Sequence, residues 1–186
     1  MPMEYDLIRS SRKTISAQIK NGRLILRVPR RATKVQIEAF LHTHRRWIET
    51  HLVQSREQMA QAADLPKLSP ADIQTLKARA REVIPERVAY YAPLVGVSVG
   101  TITIRCQKTL WGSCTGKGNL SFNCLLMLAP PEVLDSVVVH ELCHRKEMNH
   151  SQRFYDEVLR VMPDYHRHHQ WLRDQGQMLL ARVETE

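Results

Sequence analysis

His140-Glu141-Leu142-Cys143-His144 places two histidines four residues apart with a glutamate beside the first. On a helix, positions i and i+4 share one face, one turn apart. Two imidazoles so placed can ligate one tetrahedral ion, and Glu141 can then reach a water on that ion and take its proton. A third ligand is needed, with one position left open for the water. His150 lies six residues past His144. A straight helix would carry it about 9 Å further along the axis, too far to share the ion. The chain is therefore expected to turn between them. Asn149 is the expected turning residue because Asn tolerates left-handed backbone, and Ser151 is the expected cap of the next helix. Three imidazoles favour one Zn2+ ion, although other divalent metals suit the same donors.

The elements that must position these residues follow from periodicity. Residues 5–9 and 14–19 read as short strands. Asn21-Gly22 is a hairpin signal, since both residues tolerate positive φ. Leu24, Leu26 and Val28 alternate with Arg23, Ile25 and Arg27, giving a strand with one buried face that Pro29 ends. Thr33 and Gln36 fit a capping box, and a helical pattern runs from about 34 to 61. Residues 65–70 read as a linker, with Ser69, Pro70 and Asp72 opening a helix that should reach about Tyr91. Residues 98–107 alternate as a strand, Trp111–Asn119 reads as a turn or loop, and Leu120–Asn123 as another strand. Pro130-Pro131 opens the helix that carries His140, and two further helices are expected near 151–161 and 164–182. These elements predict an α+β domain over residues 66–186, with a small sheet packed on the His140 helix. A basic β-hairpin and long helix form a lobe over residues 1–65.

Composition narrows the classes. The 186 residues suit one domain, or one with an appended lobe, and 43% apolar with 25% charged is ordinary for a globular protein. No apolar run approaches the roughly 18 to 20 residues that span a bilayer, and Met1–Asp6 lacks the profile of a secretory signal. A cytoplasmic protein without membrane partners is expected. Cys106, Cys114, Cys124 and Cys143 form no C-x-x-C pair, so free thiols are expected rather than a cysteine zinc site. The net charge of +8 is lopsided. Residues 1–60 hold 12 Lys/Arg against 5 Asp/Glu, and the remainder 15 against 14. Such a lobe is either a solvated surface or a patch for an anion such as nucleic acid or a nucleotide.

From Arg105 to Leu172 the chain resembles the YgjP-like metallopeptidase family, small zincin-type proteins related to the SprT-like and larger HExxH metallopeptidases. The resemblance rests on Trp111-Gly112-Ser113-Cys114, Gly118–Asn123, His140–His144, and Met148-Asn149-His150-Ser151 with Phe154. Pro163-Asp164-Tyr165 and Trp171-Leu172 extend it, and the basic start of the chain matches more loosely. It implies zinc ligands at His140, His144 and His150 and a catalytic Glu141. The histidine spacing also equals that of the metzincins, but Glu147 stands at their glycine position and no Met-turn signature follows.

Further candidates surround this motif. Arg105 and Trp111 flank the strand and loop before the helix and are substrate-side candidates, with packing the other reading for Trp111. Leu120–Asn123 reads either as an edge strand that pairs with an extended peptide, with Asn123 facing substrate, or as an interior strand. Tyr155 and Tyr165 are candidate oxyanion donors or half-buried core. Glu147 is either a partner of a ligand histidine or an exposed helix-end residue. His166, His168 and His169 suit a second metal or a solvated helix face. Three functions fit these residues. The first is a metallopeptidase acting on peptides or proteins. The second is a metal-dependent nucleoside triphosphate pyrophosphatase, which lacks the usual Gly-rich phosphate cradle. The third is a nucleic-acid-associated SprT-like protease.

Overall fold

The computed structural model describes residues 4–20 and 22–183, and Asn21 of the expected hairpin turn lies outside them. The chain forms two compact units, Met1–Asp64 and Leu65–Glu186. The architecture is α+β, as expected.

In the first unit, β1 (Tyr5–Ser10), β2 (Ser16–Lys20) and β3 (Arg23–Pro29) form a sheet of order β1-β3-β2. β2 and β3 are antiparallel, with Lys20 opposite Arg23, and β1 runs parallel to β3. Gly22 has φ +68°, a backbone that glycine adopts without a Cβ clash. Leu24, Leu26 and Val28 are buried while Arg23 and Arg27 are exposed, so the alternation read from sequence is the pleat of β3. The Thr33–Gln36 capping box is present in both directions. The helix expected over 34–61 is instead two helices, α1 (Lys34–Thr43) and α2 (Arg45–Asp64). His44 leaves helical geometry at φ −102°, ψ 11°. The Thr43 hydroxyl donates to the Ala39 carbonyl at 3.0 Å, a back-bond that bends helices at such points. Ile37 and Leu41 of α1 and Ile48 of α2 still reach one core with β3.

The second unit begins with α3 (Pro70–Val95), capped by a Ser69–Asp72 box. It runs past Tyr91 to Val95, carrying Pro85 and Pro93 inside it, and ends where Gly96 takes the left-handed conformation at φ 81°. Leu76, Ala80, Ile84, Val88, Ala92 and Val95 form its buried stripe. β4 (Ile102–Arg105), β5 (Gly112–Cys114) and β6 (Leu120–Asn123) follow, with order β4-β6-β5. β4 is shorter than 98–107, because the Gly100 and Thr101 amides bond to the Gly118–Asn119 turn instead of a strand. The expected loop 111–119 contains β5, paired antiparallel with β6 from Gly112–Phe122 to Cys114–Leu120. Gly-Ser-Cys has little intrinsic strand preference, so its pairing with β6 makes it a strand. β6 is the interior strand, which removes the edge-strand reading of Leu120–Asn123.

After a 3-10 turn at Cys124–Leu128 come α4 (Pro131–Cys143), α5 (Gln152–Val161) and α6 (Tyr165–Ala181). α4 is buried from Val133 to Val139 and again from Glu141 to Cys143. It packs on α3, α5, α6 and β5. Asp135, buried on α4, accepts a two-pronged ion pair from Arg87 of α3 at 2.7 and 2.6 Å, with the Tyr91 hydroxyl at 3.1 Å. The unit also closes on itself. Lys67 Nζ donates to the Ala181 carbonyl at 2.7 Å and the Leu68 amide to the Arg182 carbonyl at 2.9 Å. Arg182 Nε donates to the Pro66 carbonyl at 3.0 Å. Among the described residues no helix is long and apolar enough to cross a membrane.

Arg87→Met should leave the buried Asp135 carboxylate without its fork. A loss of about 2 kcal/mol is expected, discounted because the arginine is partly solvated. Urea denaturation of both proteins measures it, with circular dichroism checking that secondary structure is kept.

Candidate metal centre and active site

α4 ends at Cys143 with His144 as its C-cap, so His140, Glu141 and His144 lie at its last turn. The chain then tightens, with the Arg145 amide bonded to the Leu142 carbonyl and the Glu147 amide to that of Cys143. Asn149 Oδ1 accepts from the Ser151 amide at 3.2 Å, a side-chain turn that reverses the chain. The Ser151 hydroxyl then caps α5 by accepting from the Phe154 amide. This turn brings His150 back to the helical pair. Its Nε2 lies 3.1 Å from His140 Nε2, which is 3.2 Å from His144 Nε2. The three donor atoms all lie within 4.8 Å of one another.

The rings are held from behind. His144 Nδ1 is 3.0 Å from the Glu147 carbonyl oxygen. A carbonyl only accepts, so Nδ1 carries the proton and Nε2 presents a bare lone pair. His140 Nδ1 is 2.7 Å from the hydroxyl of Tyr165, which is 2% exposed. Phe154, fully buried, lies under all three rings at centroid distances of 4.9, 4.6 and 5.0 Å. Burial, then His144 and His150, lower His140 to about 3, and burial also lowers His144. Both stay neutral, which is the ligating form.

This cluster fits a metal ion. A single ring proton could serve only one neighbour, whereas a cation satisfies all three lone pairs. Two nitrogens at about 2.0–2.1 Å from a tetrahedral ion lie about 3.3 Å apart, close to the spacings seen here.

Glu141 is 5% exposed, and burial pushes its carboxyl up to about 8. A cation among the imidazoles acts in the opposite direction. A Cβ at Gly112 would stand 2.6 Å from Glu141 Oε1 and 2.7 Å from its Cγ, so only glycine lets β5 lie against this carboxylate.

Beside His140 and Glu141 opens a cavity of about 290 Å3. Trp111, Gly112, Val137, Leu172 and Leu180 supply its apolar and backbone walls, with Thr109, Ser136, Tyr165, His169, Arg173 and Gln177 as polar groups. Trp111 therefore faces the cavity, and it also packs on α6, where a Cβ at Gly176 would meet its ring at 3.0 Å. The other candidates fall differently. Arg105 is exposed on β4 and does not line the cavity. The Asn123 amide is spent inside the fold, donating to the Gln107 and Leu110 carbonyls and accepting from the Leu125 amide. It brackets the loop that leads to Trp111 and has no donor left for substrate. The Tyr165 hydroxyl meets the ring nitrogen that faces away from the cluster, so it orients a histidine and is not placed as an oxyanion donor. Tyr155 stands beside His150 at 6.3 Å between ring centroids. Glu147 supports His144 through its backbone, not its carboxylate. Among the described residues no second group of three metal-binding side chains forms, so His166, His168 and His169 make no second metal site.

The roles of four residues were not read from the sequence, although Phe154 and Gly112 entered the family resemblance. Phe154 follows His150 by four residues, a spacing that hinted at a shared face. Gly112 beside Trp111 was a strand glycine of the kind that marks close approach. Arg173 and Gln177 continue the four-residue spacing of Tyr165 and His169, but only the fold shows which face of α6 meets the site.

No curated protein matches the chain. The crystal structure of the metallopeptidase zymogen of Pyrococcus abyssi abylysin is similar at 19% identity, over 51% of this chain and 97% of that one, with a TM-score of 0.46. The YgjP-like, metallopeptidase domain family matches residues 60–175, well over half of the chain and all of the histidine cluster, and the chain belongs to that metallopeptidase family.

Proposed function

We propose that the protein hydrolyses peptide bonds with one Zn2+ ion held by His140, His144 and His150 and with Glu141 as the proton carrier. The observation that carries this reading is the convergence of three imidazole nitrogens, two spacings of which are 3.1 and 3.2 Å, beside a buried carboxylate. When bound, the ion would supply Lewis-acid polarisation of the scissile carbonyl and a water acidified toward neutral pH. The remaining work falls to side chains of this chain. Tyr165 and the Glu147 carbonyl fix the orientations of His140 and His144, which lowers the entropy lost on coordination. Phe154 keeps water from behind the rings. Glu141 takes a proton from the attacking water at its carboxylate oxygen and hands it to the leaving amine nitrogen, so the carboxyl returns to its starting state. Gly112 leaves the room in which that carboxyl sits. The apolar walls of the cavity lower the local dielectric and strengthen each of these interactions.

Three outcomes are expected. Glu141→Gln should retain bound zinc in elemental analysis while peptide hydrolysis falls at least 100-fold, the usual scale of lost general acid–base catalysis. Full activity in that variant would end the proposal. Tyr165→Phe should weaken zinc affinity about 10- to 100-fold in a chelator competition, since it frees the His140 ring.

The third outcome concerns stability in metal-stripped protein. Glu141 ionises near 4.5 when unfolded and at about 8 when folded. Between those values the unfolded chain has lost a proton that the folded one keeps. Folding is thus weakened as pH rises through that window, and the weakening levels off above about 8. Glu141→Gln removes it. The stripped variant should therefore be more stable than stripped wild type by about 2 kcal/mol at pH 7, with a smaller gap at pH 5. Urea titrations at the two pH values test this, and a gap that shrinks with rising pH would contradict it.

A further inference from the structure

The polar side of the cavity has a charge that the proton-transfer scheme does not use. Tyr165, His169, Arg173 and Gln177 follow at four-residue intervals along α6, and all four line the cavity that His140 and Glu141 share. The row starts at the hydroxyl that touches His140 and leads away from it. At 1.5 Å per residue, the Arg173 backbone stands about 12 Å along the axis from that of Tyr165. The reach of an arginine shortens the gap to about two or three residues of extended peptide. Among the described residues Glu141 is the only acid lining the cavity, and it is committed to the reacting water. Among the described residues Arg173 makes no ion pair with an acid. Arg173, like His169 and Gln177, is exposed at the rim of the cavity, so a permanently charged, forked donor stands there without an acidic partner among the described residues. Thr109 and Gln177 add neutral hydrogen-bonding groups on the same walls.

We propose that this end of the cavity is an anion subsite in which Arg173, flanked by His169 and Gln177, seats a carboxylate of the substrate within about three residues of the scissile bond. The inference rests on the peptidase reading and adds the substrate's charge to it. A guanidinium pairs a carboxylate through two parallel N–H bonds, a geometry that a single ammonium cannot match. The carboxylate can belong to an Asp or Glu side chain or to the C-terminus of the substrate chain. Arg173 is then a specificity-determining residue.

Two measurements test this, one of them independent of hydrolysis. Zinc-loaded protein is given matched fluorogenic peptides with Glu or Gln at each of three positions on either side of the scissile bond, each with a free or amidated C-terminus. At one position, or at the free C-terminus, kcat/KM should rise about tenfold or more, chiefly through KM. The position identifies a side chain or a terminus as the source. In Arg173→Gln that preference should collapse to near one, and Arg173→Lys should keep part of it. A preference that survives in Arg173→Gln overturns the proposal.

The second measurement is calorimetric titration of metal-stripped protein with N-acetylglutamate and, separately, inorganic phosphate, so that the probe cannot simply ligate the ion. N-acetylglutamate should bind at least tenfold more weakly to Arg173→Gln than to wild type. Equal binding to both overturns the subsite even if peptides are cleaved. Normal Arg173-dependent binding with no peptide cleaved leaves the subsite standing and removes the peptidase reading. Arg173-dependent binding of phosphate that exceeds that of the carboxylate overturns the carboxylate assignment in favour of a phosphorylated substrate.

Discussion

Three ring nitrogens with lone pairs aimed at one point repel each other, and much of the second unit is arranged to hold them there. Left to themselves, imidazoles would swing apart or take up protons and point outward. For His140 and His144 these escapes are blocked. The Glu147 carbonyl fixes the proton of His144 on the far nitrogen, and the Tyr165 hydroxyl occupies the far nitrogen of His140. Phe154 fills the space into which the rings would fall back. Burial makes protonation of His140 and His144 unfavourable. A site so constrained trades electrostatic comfort in the free protein for readiness to bind a cation.

The fold supplies that constraint through a helix that has nowhere to move. α4 is covered by α3, α5, α6 and β5, and the Arg87–Asp135 pair pins it at mid-length. Its last turn carries the chemistry, and the reversal at Asn149 and Ser151 returns the third ligand over only a few residues. β5 then presses the side of Glu141 through Gly112, which ties the sheet to the carboxylate as α6 is tied to His140.

The parts legible in the sequence were those set by short-range rules. The His140–His144 spacing, the Ser151 cap, the Thr33–Gln36 box and the Leu24–Val28 alternation each reside in a few consecutive residues, and each is present in the structure. What was misread depended on distant partners. Gly112–Cys114 is a strand only because Leu120–Phe122 lies beside it. Asn123 looked available to substrate because nothing local reveals that it brackets Gln107 and Leu110. Tyr165, a candidate oxyanion donor in the sequence, lies behind His140, and sequence gives no means of telling the front of an imidazole from its back. The break at His44 has no proline or glycine to announce it, only a threonine hydroxyl that bonds backward.

The ties between residues 66–68 and 181–182 have a bearing on motion as well as shape. They join the entrance of the helical layer to its exit, so α6 cannot peel away without also releasing the start of α3. Yet α6 carries the hydroxyl that steadies His140. Loosening of these ties would therefore reach the ligand geometry only through the length of α6, from residues 181–182 back to Tyr165. Ion occupancy would slow that loosening, and a probe placed at the end of α6 would sense the metal from a distance.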